Sequence, residues 1–76
     1  MENRQRQLPP TGFLRLSEII GDRRKGILPI IPVSRSHWYD GIRRGIYPPP
    51  VKLSERTSAW PVQQILDLVE QLNNRE

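Results

Sequence analysis

The 76-residue chain contains no cysteine. Disulfide staples and thiolate metal sites are thereby excluded, and cysteine usage leaves the redox compartment open. Histidine occurs once, as His37, which denies a metal centre a second ligand of that kind. Apolar runs are only a few residues long, against the roughly 20 needed to span a bilayer, and no charged-then-apolar leader opens the chain. Neither a glycine-rich phosphate loop nor zinc-type spacing is found. A chain this short has room for one compact domain, near the lower limit for a core without staples. A deep, dry catalytic pocket is therefore not expected. These absences predict a cytoplasmic, non-enzymatic protein with no cofactor, no small-molecule substrate and no membrane partner.

Positive charge is what the chain does have. Twelve Lys and Arg oppose eight Asp and Glu, and the excess is uneven. Between Phe13 and Ser58 nine bases face four acids, whereas between Ala59 and Glu76 one base faces three. A cationic middle with an acidic end is the pattern of a protein that docks on a polyanion. Nucleic acid is the partner that this charge pattern favours, with an anionic membrane or an acidic protein competing.

Residues 1–12, "MENRQRQLPPTG", are polar, lack any period and carry Arg4 and Arg6, and read as a flexible arm. "FLRLSEIIG" predicts a short first helix with Ser17 as N-cap and Gly21 as stop. Asp22 to Gly26 reads as a charged turn. Ile27 to Val33, broken by Pro29 and Pro32, reads as an ordered loop with its isoleucines inward. A second helix is predicted from Ser34, its N-cap, to Gly45, its C′ residue. At 100° per residue Trp38, Gly41, Ile42 and Gly45 share one side, Ser36, Asp40, Arg43 and Arg44 the other, with His37 and Tyr39 flanking. Three prolines at 48–50 enforce an extended exit. Val51 to Trp60 then reads as a hairpin around "SERTS", with Lys52 near its base and Arg56 at its tip. Tight turns favour glycine, which is missing here, so a loop of four or more residues is expected. After Pro61, the apolar positions Val62, Ile65, Leu66, Val69 and Leu72 define an amphipathic last helix. The domain is expected over residues 13–73, with 74–76 as a tail.

The run "LRLSEIIG…IPVSRSHWYDGIRRGIYPPPVKLSERTSAW" resembles the AlpA-type phage regulators, grouped with the excisionases and the MerR amino-terminal domain. The likeness extends from Phe13 to about Leu72. It implies a mostly α, single-domain winged helix-turn-helix with a small β-hairpin wing. The helix beginning "S-R-S" would read the major groove, here residues 34–45, and the wing at 52–58 would approach the backbone or minor groove. The implied function is sequence-specific transcriptional regulation from a mobile element, or a directionality role in excision. Two departures stand out: the connection between the first two helices is long, and Glu55 lies beside Arg56 where the wing often has glycine.

Arg35, Arg43, Arg44, Lys52 and Arg56 are the candidate phosphate contacts, with Ser34 and Tyr39 as neutral donors. Ser36, His37, Asp40, Arg43 and Arg44 are the candidate base readers. His37 fits equally well as a plain surface residue. Asp40 either accepts from a cytosine amino group or orients Arg43 or Arg44, which follow it at i+3 and i+4; the orienting role is preferred. Trp38 and Trp60 can stack on bases, but their positions favour the core. Ser36, His37 and Asp40 lack the oxyanion pocket that a catalytic triad needs. Since one helix and one wing cover about one turn of duplex, several adjacent sites, bending or self-association are expected. The competing class is a protein-interaction module, such as an antirepressor gripping a partner through the Ile27 to Val33 loop or the last helix.

Overall fold

The computed structural model describes residues 11–75. Ten of the twelve residues read as an arm, Arg4 and Arg6 among them, therefore lie outside the described residues, as does Glu76 of the tail. The element order is β1 (Phe13–Leu14), α1 (Leu16–Ile20), α2 (Arg35–Arg43), β2 (Val51–Ser54), β3 (Thr57–Pro61) and α3 (Val62–Asn73). The strands form an antiparallel sheet in the order β1-β3-β2. Three helices and a three-stranded sheet make this a small mixed α/β domain.

The strand β1 is an addition to the sequence reading, which placed Phe13 and Leu14 in the approach to the first helix. Phe13 pairs with Pro61 and Leu14 with Trp60, a partnership set by residues far along the chain rather than by a local pattern. The Val62 N–H also donates to the Gly12 carbonyl at 2.9 Å, which ties residue 12 to the start of α3. The cap of α1 is corrected as well. Arg15, not Ser17, is its N-cap, because Glu18 Oε1 reaches back to accept from the Arg15 backbone N–H at 2.7 Å. That acidic side chain in the first turn satisfies a donor that a helix start leaves open.

Gly21 stops α1 as expected, at φ +87°. A Cβ there would crowd Pro29 and the Ile27 carbonyl at 3.0 Å, so glycine is required both for the backbone and for the close return of the loop. Asp22 and Ile27 exchange both backbone hydrogen bonds at 2.9 Å, closing the charged turn, and the Ile30 and Ile31 N–H groups both donate to the Ile19 carbonyl. Ile31 is buried and Ile30 half-buried. The isoleucines at 30 and 31 thus turn inward as predicted, while Leu28 is 75% exposed.

The hairpin is tighter than expected. Ser54 pairs with Thr57, leaving only Glu55 and Arg56 as the turn, so the expectation of four or more loop residues fails. No non-glycine residue has positive φ among the described residues, so the glycine-rich turns that match strand twist are not used. The ladder instead carries a register shift between Lys52 and Ser54, an irregularity of the kind that increases local twist in hairpins.

The core gathers Ile19, Trp38, Trp60, Val62 and Ile65 as its largest fully buried side chains. The two indoles meet edge to face at 5.8 Å and 73°, an arrangement favoured by the ring quadrupole. On α3 the buried stripe is rotated from the predicted one: Leu68 is 4% exposed and Leu66 37%. The stripe is centred on Val62 and Ile65, which puts Leu68 on its inner flank and Leu66 on its rim.

Candidate nucleic-acid interface

The helix α2 is built to hold one side inward. Ser34 Oγ accepts from the His37 backbone N–H at 3.1 Å, which caps the start and leaves the hydroxyl hydrogen available to donate outward. At the other end Gly45 adopts φ +81°, its N–H reaching the Ile42 carbonyl at 3.0 Å and that of Ile46 reaching Gly41 at 2.8 Å. This pair of bonds is the Schellman arrangement, and it turns the chain back over the helix. Tyr47, buried in consequence, lies flat against Trp38, ring centroids 4.6 Å apart and 19° between planes. Gly41 makes room for it: a Cβ at 41 would enter the Tyr47 ring.

With Trp38 and Gly41 sealed and Ile42 half-buried, the opposite side of α2 meets solvent. Arg35, Ser36, His37, Tyr39, Arg43 and Arg44 are all exposed, and Asp40 is half-buried. Arg43 Nη2 bonds Asp40 Oδ1, and Arg44 Nε lies 3.2 Å from Asp40 Oδ2. Both guanidinium groups remain open to water, at 78% and 68% exposure. Exposed pairs of this kind contribute at most about 1 kcal/mol, so they set side-chain direction more than stability. The geometry has the form of the orienting role read for Asp40. His37 is held from another direction, its Nε2 3.0 Å from Tyr47 Oη.

On the hairpin, Lys52 Nζ donates to the Glu55 carbonyl at 2.9 Å, so its ammonium group leans toward the turn. Arg56 at the tip is exposed. The base of the hairpin is fixed to the exit of α2 by the Trp60 indole, whose Nε1 donates to the Pro48 carbonyl at 2.8 Å.

Apart from Ser34, His37 and Lys52, the predicted residues fall into two groups. Ser36, Asp40, Arg43 and Arg44 lie along the outward side of α2. Arg35, Tyr39 and Arg56 turn toward α1 and line a groove of about 750 Å³ together with Arg15 and Lys25. Sequence reading missed these last two, and Tyr47 as the partner of His37. Arg15 precedes a helix and Lys25 sits in a charged turn, so their shared location exists only in the folded chain.

Among the described residues no group of three or more His, Asp or Glu side chains is placed to hold a metal ion, and no helix is long and apolar enough to cross a membrane. No match is found among curated proteins or among solved structures. The family model described as prophage CP4-57 regulatory protein (AlpA) matches residues 23–71, which runs from the charged turn through α2 and the hairpin to the second half of α3. The chain belongs to the AlpA family of prophage regulatory proteins.

Proposed function

We propose that this protein is a sequence-specific, double-stranded DNA-binding regulator acting as a winged helix-turn-helix, with α2 in the major groove and the 52–58 hairpin as the wing on the backbone or minor groove. One observation carries the reading: Trp38 is fully buried while the reverse side of the same helix presents two exposed arginines oriented by one carboxylate. An α-helix with its side chains is about 10–12 Å across, comparable to the ~12 Å width of the major groove. Ser36, His37, Asp40, Arg43 and Arg44 are the base-reading set. Ser34, Arg35, Tyr39, Arg43, Arg44, Lys52 and Arg56 are the phosphate-contacting set. Family membership supports regulation from a mobile element, as a transcription factor or as a directionality factor in excision.

The test is a gel shift on the DNA flanking the protein's own gene beside a random duplex, across a salt series. Arg43→Ala and Arg44→Ala are each expected to lose about 1–3 kcal/mol on the cognate site and less on the random one. Footprints should show repeated half-sites; tight binding by a monomer at a single isolated operator would count against the reading.

A specific feature favours one alternative, a protein-interaction module. Ile30, Ile31 and Pro32 form with Leu66, Val69 and Leu72 an apolar groove of about 660 Å³. Weak, salt-independent DNA affinity beside tight binding of a protein partner would select that reading.

A further inference from the structure

We infer that the groove between α1, the 22–27 turn, the Arg35 flank of α2 and the hairpin tip is the main seat for a DNA backbone phosphate, with Arg15 and Lys25 as direct contacts. The inference rests on the DNA-binding reading and assigns its electrostatic work to a different place from the outward side of α2.

Charge accounting separates the two places. Arg15, Lys25, Arg35 and Arg56 come from four separate stretches of chain and line one groove. Among the described residues none of the four is ion-paired, and the ion pairs found there both end on Asp40. The trio Asp40, Arg43 and Arg44 therefore offers one net positive charge, already partly satisfied. In the groove the two acids are Glu18 and Asp22. Each accepts from a backbone N–H, Glu18 from Arg15 at 2.7 Å and Asp22 from Lys25 at 3.3 Å, so both carboxylates are drawn to the backbone. Four cations against two anions leave the groove with two net positive charges.

Like charges gathered without a full set of counter-charges repel one another and are retained at some cost to the free protein. A phosphodiester placed among them removes that repulsion and releases its own counterion. The Tyr39 hydroxyl on the same wall adds a neutral donor to a phosphate oxygen. Arg35 and Tyr39 are one turn apart on α2, so a phosphate held there lies beside the helix rather than beneath it. That is where one strand passes when a helix occupies the major groove. Affinity then resides on the α1 flank and base discrimination on the outward side.

Fluorescence anisotropy with a random-sequence duplex over a KCl series tests the assignment. The double variant Arg15→Gln/Lys25→Gln is expected to lower the slope of log K against log [KCl] by about 0.9, the value for one lost phosphate contact. Its thermal midpoint should equal or exceed that of wild type, which keeps unfolding from imitating the effect. The charge-preserving double variant Arg15→Lys/Lys25→Arg should retain most of the wild-type slope. Arg75→Gln, which removes a cation beyond the end of α3, should leave the slope unchanged. A double variant whose slope equals that of Arg75→Gln, with wild-type binding still salt-dependent, overturns the groove assignment and leaves the DNA-binding reading standing. A wild type without salt-dependent binding overturns both.

Discussion

Tyr47 stacks on Trp38 with 4.6 Å between ring centroids, and this contact closes the inner side of the helix proposed to read DNA. Two glycines make it possible, Gly45 by turning the chain back and Gly41 by leaving space for the ring.

Gly41→Ala puts a methyl group into the Tyr47 ring. Relief of such overpacking costs about 1–3 kcal/mol, more than alanine's better helix propensity of about 1 kcal/mol returns. Thermal denaturation should show a midpoint lower by several degrees, and near-ultraviolet circular dichroism should show a weakened aromatic signal. An unchanged midpoint would mean that the ring is not held where the structure has it.

The two tryptophans should respond differently to the same substitution. Trp60→Phe removes a hydrogen bond and strands the Pro48 carbonyl, a loss of about 1–3 kcal/mol on top of the smaller ring. Trp38 Nε1 is buried with no partner among the described residues, so Trp38→Phe loses ring area and no such bond. Urea denaturation is expected to find Trp60→Phe the more destabilised of the two by about 1 kcal/mol. The reverse order would contradict the Pro48 bond.

Substitutions at Ser34 can separate folding from binding. Ser34→Ala removes the acceptor used by the His37 N–H and should cost about 1 kcal/mol. Ser34→Asp preserves the cap, since aspartate is an equally good acceptor there, but sets a negative charge beside Arg35. It should keep near-wild-type stability while binding duplex DNA several-fold more weakly. Equal DNA affinity for Ser34→Asp and wild type would argue that the start of α2 does not approach phosphate.

Asp40→Asn releases Arg43 and Arg44 from their shared carboxylate. Affinity for a random duplex should rise about fivefold, the equivalent of ~1 kcal/mol for one unit charge near phosphate in solvent. Discrimination for the cognate site should fall, because the guanidinium groups are no longer aimed. Competition binding with labelled cognate and unlabelled random duplex measures both changes. A gain in affinity with undiminished discrimination would remove the orienting role.

What could be read in advance was whatever a short stretch of chain decides for itself. Ser34, Gly45 and the placement of Trp38 are set within α2, and the inward side of that helix follows from them. What escaped was set by distant partners: Phe13 and Leu14 become a strand only because Trp60 and Pro61 are alongside. Likewise Arg15 and Arg56 share a wall only after α1 and the hairpin have packed. Local chemistry also misled at Ser17, where a good capping residue lost the position to Arg15 because Glu18 could reach back. The two-residue hairpin turn escaped for a related reason, as the irregularity that allows it lies in β2 and leaves no mark on turn composition.

The Trp60 to Pro48 bond and the proline run beside it brace the helix and the hairpin against each other at a set offset. A tool whose two prongs cannot splay leaves compliance to the object it grips. On the proposed function, duplex steps that bend readily would fit between those prongs at lower cost than stiff ones, and this protein would favour some sites through their elasticity, at base pairs no side chain touches.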